Sequence, residues 1–349
     1  MKNPAGELDP RKAYILATVV YEYIMTAEPV GSNTLLHKYQ LGVSSATIRN
    51  EMAELEAGGY LVQPHTSAGR IPSDSGYRTY VDQLMQPEQL TPAERRRIRD
   101  ELHHASHELS EMIASTTRLL SRFSKNLAFI IAPAAEAQAF RHIQLIWLTA
   151  RTGVAVVMSS MGAASQSIFE LKNDVAADDL TRLSNALNAR LSGKLLREIS
   201  DKDVSAVVDE LGLGSDVRTA IVAALRSARS PESPPISAAG AQNLLDQPEF
   251  HDLQKLRSIL RIVEEQKSLY DLVADSFNRE EPSVKIGHEL ASEDVAECSI
   301  VTVPYHFGEH AVGLLAILGP RRMPYGRLMA LASDTATTLS EQLSDVEIK

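Results

Sequence analysis

A single cysteine, Cys298, stands among 349 residues, so no disulfide can form within the chain and a reducing compartment is expected. Positive charge is short as well. The 35 Lys and Arg face 45 Asp and Glu, a formal net charge of −10, which argues against nucleic-acid binding over the whole surface and leaves room for a small reader on an acidic body. No apolar run approaches the ~20 residues that a membrane-spanning helix needs. The polar opening MKNPAGELDPRK has no signal-peptide core, so the chain is expected in the cytoplasm, away from membranes. Catalytic signatures are missing too: there is no GxSxG elbow, no HExxH, no paired-cysteine motif, and Gly193-Lys194 lacks the flanking residues of a phosphate-cradling loop. An enzyme is therefore not expected, nor a resident cofactor or metal. His103 and His107 stand four apart on one helical face with Glu111 continuing it, but no fourth ligand is near. What remains, at 44% hydrophobic, is enough apolar material for two or three domains with cores of their own.

The most informative stretch runs from Leu41 to Ser73. Gly42 allows a tight turn, Ser44 or Ser45 can cap the next helix, and Ile48, Met52 and Leu55 recur at i, i+4 and i+7, which gives that helix one buried face before Gly58 and Gly59 stop it. The opposite face carries Ser45, Thr47, Arg49 and Asn50, the hydroxyl, guanidinium and amide groups that pair with base edges and phosphates in a major groove. Tyr60–His65 and Arg70–Ser73 then read as two short strands joined by Thr66-Ser67-Ala68-Gly69. Upstream, Asp9-Pro10 opens a first helix and Ser32 a second, so helix, turn, helix and hairpin together predict a winged helix-turn-helix. Tyr14, Tyr21, Tyr23 and Tyr39, at helical spacing among aliphatics, are read as core.

From Met1 to Met85 seven Lys and Arg oppose nine Asp and Glu, so placement rather than number favours DNA. His37–Asn50 holds Lys38 and Arg49 with no acid, and Tyr60–Ser73 holds Arg70 with none. The expected contacts are Lys38, Ser44, Ser45, Thr47, Arg49 and Asn50, with Arg49 and Asn50 as base readers, and His65, Thr66, Ser67 and Arg70 on the wing. So few cations make one copy a weak binder, so a homodimer on a two-fold, double-stranded operator is expected.

These residues also carry a resemblance. Glu28-Pro-Val-Gly-Ser32, Val43-Ser-Ser-Ala-Thr-Ile-Arg-Asn50, Pro64-His-Thr-Ser-Ala-Gly-Arg-Ile-Pro72 and Gly76-Tyr-Arg78 resemble the heat-inducible transcription repressor family, HrcA. Gly240-Ala-Gln-Asn-Leu-Leu245, Gln247-Pro-Glu-Phe250, Ile286-Gly-His-Glu289 and Gly319-Pro-Arg-Arg-Met-Pro-Tyr325 extend the likeness over nearly the whole chain, with Asn33 standing where many relatives have a basic residue. The resemblance implies repression of chaperone operons at an inverted-repeat element, a chaperonin partner that keeps the repressor active, and a GAF-like domain interrupted by a dimerisation insert.

Beyond residue 85, Thr91-Pro-Ala-Glu94 is a capping box that opens a long helix with an apolar seam from Ile98 to Phe123. Apolar strands follow at Leu127–Ala132, His142–Leu148, Val154–Ser159 and Ser167–Leu171, then helical patterns up to Arg229 and a Pro- and Ser-rich linker, Arg229–Pro235. A long amphipathic helix, Pro248–Phe277, three more strands and a closing helix complete an α+β chain. The expected division is residues 1–85 as winged helix-turn-helix, 86–125 as connecting helix, 126–139 with 230–349 as the GAF-like domain, and 140–229 as the inserted antiparallel strands and helices. Arg321 and Arg322 are expected in a solvated turn. Two rival functions stay open: a winged-helix regulator that answers to a metal or small ligand, and a winged-helix interaction module with no DNA role.

Overall fold

A computed structural model describes residues 8–39, 42–66, 68–103, 109–133, 135, 138–160, 164–229, 236–307 and 311–347. The N-terminal domain, expected to be the reader, begins with α1 (Pro10–Thr26), capped by the Asp9 carboxylate on Arg11 N, followed by α2 (Ser32–Lys38) and α3 (Ser45–Ala57). Ile15, Leu16, Val19 and Val20 of α1, Leu35 of α2 and Ile48, Met52 and Leu55 of α3 are all buried against one another. Each such side chain contributes roughly 1.5–3 kcal/mol. The wing is β1 (Leu61–Val62) paired antiparallel with β2 (Ile71–Pro72), and α4 (Asp74–Thr79) leaves it, capped by Ser73. Tyr23 and Tyr39 pack partly buried against this core, but Tyr14 and Tyr21 are about half exposed, at 54% and 50%. They lie seven residues apart, on one face of a helix that is apolar nearly all round.

The long helix expected from Thr91 to Phe123 is instead two, α5 (Pro92–His103) and α6 (Leu109–Ser124). Arg122 pairs with Glu101 and the Arg97 guanidinium lies 5.0 Å from the Phe123 ring. In one straight helix residues 101 and 122 would be about 31 Å apart, so the helices lie side by side. An apolar seam at spacings of three and four suits a helical hairpin as well as a rod.

Next comes β3 (Leu127–Ile131), buried at every position. The chain then leaves for a separate three-stranded antiparallel sheet, β4 (Phe140–Thr149), β5 (Thr152–Ser159) and β6 (Ala164–Glu170), backed by α7 (Ala177–Leu191), α8 (Asp201–Glu210) and α9 (Ser215–Arg229). Gly193–Ile199, read as helical, is a loop with a short 3-10 turn at Leu196–Glu198. Its core, from Phe140 to Ala228, shares no member with the other apolar clusters.

On its return the chain forms β7 (Ile236–Ala239), an edge strand that pairs with β3. Four residues of mixed polarity gave no sequence signal for it. The expected Pro248–Phe277 helix is broken into α10 (Leu253–Glu264) and α11 (Gln266–Val273), with 3-10 turns at either side, because Asp252 caps a fresh start and Glu265 is extended at ψ 92°. Strands β8 (Ser283–Ile286), β9 (Cys298–Phe307) and β10 (Ala311–Pro320) and helix α12 (Tyr325–Glu347) complete the fold. The five-stranded sheet runs β7-β3-β10-β9-β8, antiparallel throughout. Ala128, Ile130, Leu315 and Ile317 face α6 and α12, while Leu127, Phe129, Ile131 and Leu314 face α10 and α11. Covering on both faces explains why β3 and β10 read as apolar runs rather than alternations.

Cys298 is 0% exposed at the start of β9, and burial, followed by the Glu297 charge, pushes its thiol up to about 12. Thiolate is the reactive form. Native protein should therefore resist an aromatic disulfide reagent at pH 8 and label only as it unfolds; prompt stoichiometric labelling without denaturant would show this strand to be open.

Candidate nucleic-acid interface

Of the two serines that could cap α3, Ser44 does so. Its Oγ accepts from Thr47 N at 3.2 Å and lies 3.0 Å from Thr47 Oγ1. Ser45 Oγ donates to Asn33 Oδ1 at 2.6 Å and sits 3.1 Å from Ser32 Oγ, tying the start of α3 to the start of α2. Both hydroxyls thus do structural work at the helix-turn-helix corner. Beyond them Arg49 and Asn50 are exposed, and among the described residues neither side chain has a hydrogen bond or ion pair.

The acids of α3 are neutralised internally. Glu51 meets Arg11 at 3.5 Å, Glu54 meets Lys12 at 2.6 Å, and Glu56 Oε2 accepts from Arg70 Nε at 2.8 Å. Lys38 pairs with Glu22, whose carboxylate is buried and also accepts from the Tyr39 hydroxyl at 2.8 Å. That bond from Lys38, with help from Tyr39, holds Glu22 below the usual glutamate range, while burial, then Glu22, pushes Tyr39 up to about 12. Two expected DNA contacts, Lys38 and Arg70, therefore have partners within the N-terminal domain. No motif in the sequence marks Glu22 as Lys38's partner.

Lys38→Ala should accordingly destabilise the protein by about 1–3 kcal/mol at neutral pH, since it strips a charged partner from a buried carboxylate. A depressed acid contributes stability that is fully present above its unfolded pKa and lost as pH falls through its folded value. The difference from wild type in thermal melts should therefore shrink below the normal glutamate range. A difference that persists in acid, or none at neutral pH, would count against the assignment.

The wing is anchored at its base. Val30 and Arg70 exchange backbone hydrogen bonds of 2.9 and 2.8 Å, and a Cβ on Gly69 would lie 2.4 Å from the Val30 carbonyl, so only glycine permits this approach. Gln63, which carried no sequence signal, braces the tip by donating from Nε2 to the carbonyls of Thr66 and Ala68, both at 3.0 Å. His65 and Thr66 are exposed there; Ser67 lies outside the described residues. Between wing and helices runs a groove of about 490 Å³ whose lining includes Asn33, Arg49, Gln63, Thr66 and Arg70. The structure thus brings Arg49, Thr66 and Arg70 to one groove and ties Lys38 back to α1.

Among the described residues no three His, Cys, Asp or Glu side chains converge as a metal site; of the histidine pair singled out in the sequence, His107 lies outside them. No described helix is long and apolar enough to cross a membrane.

Residues 110–329 match a family model described as the HrcA protein C terminal domain. The heat-inducible transcription repressor HrcA of Pelotomaculum thermopropionicum is 37% identical over 341 residues, covering 97% of this chain and 98% of that protein. Its namesakes from Moorella thermoacetica, 37% identical over 345 residues, and Clostridium perfringens, 34% over 340, each cover 97% of this chain and 99% of their own. A crystal structure of a hypothetical protein at 2.2 Å resolution shares the fold, with a TM-score of 0.60 at 23% identity over 97% of this chain and 100% of that one.

Proposed function

The chain belongs to the HrcA family of heat-inducible transcription repressors, and from that premise we propose that it represses heat-shock operons as a homodimer on an inverted-repeat operator, each α3 entering one major groove. It is a DNA-binding repressor and not an enzyme. The observation that carries the reading is Arg49 beside Asn50, both exposed and uncommitted next to the wing groove, in a reader whose other nearby cations are internally paired. Arg49 and Asn50 read bases; Thr47, His65, Thr66, Ser67 and Arg70 meet backbone or minor groove, while Ser44, Ser45 and Lys38 hold the shape that presents them.

The proposed division of the chain is residues 1–85 as reader, 86–125 as connection, 126–139 with 230–349 as GAF-like domain and 140–229 as dimerisation insert. A separate apolar core supports the insert, and an outer sheet face supports its pairing with a second copy. Rows Ile146–Val154–Ile168 and Gln144–Val156–Gln166 cross β4, β5 and β6 on the face away from α7 and α9, with Ile168 74% exposed. In this reading the dimer works in the cytoplasm, with a chaperonin that restores its folded, operator-binding form.

A gel shift with an inverted-repeat duplex at two salt concentrations tests the core of this reading. Tight binding that weakens steeply with salt is expected. Equal affinity for an unrelated duplex would reject it. Recovery of operator binding after denaturation, compared with and without chaperonin and ATP, tests the partner.

A further inference from the structure

Four of the motifs that mark the sequence lie away from the DNA-facing groove, and the fold gathers them at one place. Gly76-Tyr-Arg78, Gln247-Pro-Glu-Phe250, Ile286-Gly-His-Glu289 and the Arg321-Arg322 turn meet where the reader rests on the five-stranded sheet. Instead of standing in the solvated turn expected from composition, Arg321 and Arg322 are part-buried in ion pairs. At its centre is Asp74, the first residue of α4 and two positions past the end of the wing. Asp74 Oδ1 accepts from Arg321 Nη1 at 2.7 Å; its Oδ2 accepts from His288 N at 3.1 Å and lies 2.7 Å from His288 Nδ1. Burial alone would raise this carboxyl, but Arg321 and His288 hold it below the usual aspartate range.

Around that centre the contacts are directional. Arg321 also pairs with Glu297. Arg78 reaches Glu289 Oε1 from Nε at 2.9 Å and the Val284 carbonyl from Nη2 at 2.6 Å. Arg322 binds Glu249 Oε1 at 2.5 Å and Gln247 Oε1 at 2.9 Å. Tyr77 and Tyr325 pack edge to face with centroids 6.1 Å apart, so the reader's core and the sheet's helical face form one apolar cluster. Gly287 sits at φ +54°, and a Cβ there would lie 2.3 Å from Asp74 Oδ2, so the motif's glycine is what lets the carboxylate seat. Forked guanidinium pairs fix angle as well as distance.

We propose that Asp74, with Arg321, His288 and the Arg78–Glu289 pair, is a positioning centre that sets the orientation of each reader on its sheet domain and so selects the spacing between operator half-sites. This rests on the operator-binding dimer proposed above. A reader rigidly held to a dimeric body meets the second half-site at high effective concentration only when spacing and helical phase match. A reader released from the junction swings, which lowers affinity at the best spacing and broadens the range tolerated.

The test measures binding of wild type, Asp74→Asn and the milder surface variant Glu289→Gln to inverted repeats whose spacer is changed by one and two base pairs, and to a duplex with one half-site. Two base pairs turn the second half-site by roughly 70°. Wild type should lose roughly tenfold or more at that displacement. Both variants should lose affinity at the best spacer and show a flattened profile, with half-site binding unchanged. A wild-type profile retained in either folded variant overturns the inference, and so does a parallel loss on the half-site, which would mean damage to the reader itself. Should Asp74→Asn fail to fold, Glu289→Gln decides. Wild type that ignores inverted repeats altogether refutes the operator-binding dimer instead, a result distinct from any of these.

Discussion

Ile168→Asp is expected to leave the chain folded but monomeric, and to cut its affinity for an inverted-repeat operator by roughly a hundred- to ten-thousand-fold, the avidity that comes from linking two readers. Among the described residues, helices cover the insert's sheet on one side only. Ile143 and Leu145 of β4, Ala155 and Val157 of β5 and Phe169 of β6 turn inward onto α7 and α9 and are buried. Their neighbours in the opposite phase, Ile146, Met158 and Ile168, are 44%, 37% and 74% exposed. Alternation alone would place polar residues there, so the exposed Ile146, Met158 and Ile168 beside Gln144 and Gln166 point to a second surface that covers them.

A two-fold axis places the same patch on both sides. One substitution therefore buries two carboxylates close together, at a cost of several kcal/mol each unless the interface opens. The inward face is untouched, so the insert should keep its melting behaviour. Sedimentation equilibrium reads the mass and a gel shift reads the affinity. A variant that remains dimeric would move the interface elsewhere, whereas one that turns monomeric yet binds the operator as wild type would remove the dimer from the functional account.

Some of this architecture was open to sequence reasoning and some was closed to it, for physical reasons. Helix α3 was legible because its signals are local: a cap at Ser44, a period of 3.6 through Ile48, Met52 and Leu55, and a Gly-Gly stop. The wing was legible from Gly69, Arg70 and Pro72. The split of the long helix into α5 and α6 was not, because a seam at spacings of three and four is the same whether the partner is another helix or the chain folded back. Strand β7 exists only through pairing with β3, more than a hundred residues earlier. The same limit hid the partners of Lys38 and Asp74. Glu22 and Arg321 are ordinary charged residues in the sequence, and only the fold brings them to carboxylate–cation distance.

Arg49→Ala should have the second large effect, because a symmetric operator loses the contact twice. A bidentate guanidinium on a guanine edge is worth about 1–3 kcal/mol of discrimination, so the dimer should lose roughly 2–6 kcal/mol, at least about thirtyfold in affinity. Neutral pairing elsewhere sharpens the expectation. Arg11, Lys12 and Lys38 are engaged with Glu51, Glu54 and Glu22, and Arg70 must leave Glu56 to meet the backbone proposed for it, so none of these four stands ready to take over base reading from Arg49. Base reading and phosphate binding leave different signatures. If Arg49 reads a base, the variant should bind all four bases alike at one position of each half-site and keep its preferences elsewhere. If it binds phosphate, base preference should survive and the slope of log affinity against log salt should fall by about 2 per dimer, near one for each lost contact. Competition titrations with operators changed one base pair at a time, at two salt concentrations, separate the two. Unchanged affinity under both conditions would mean that the exposed face of α3 does not enter the groove, and the reader's assignment would fail with it.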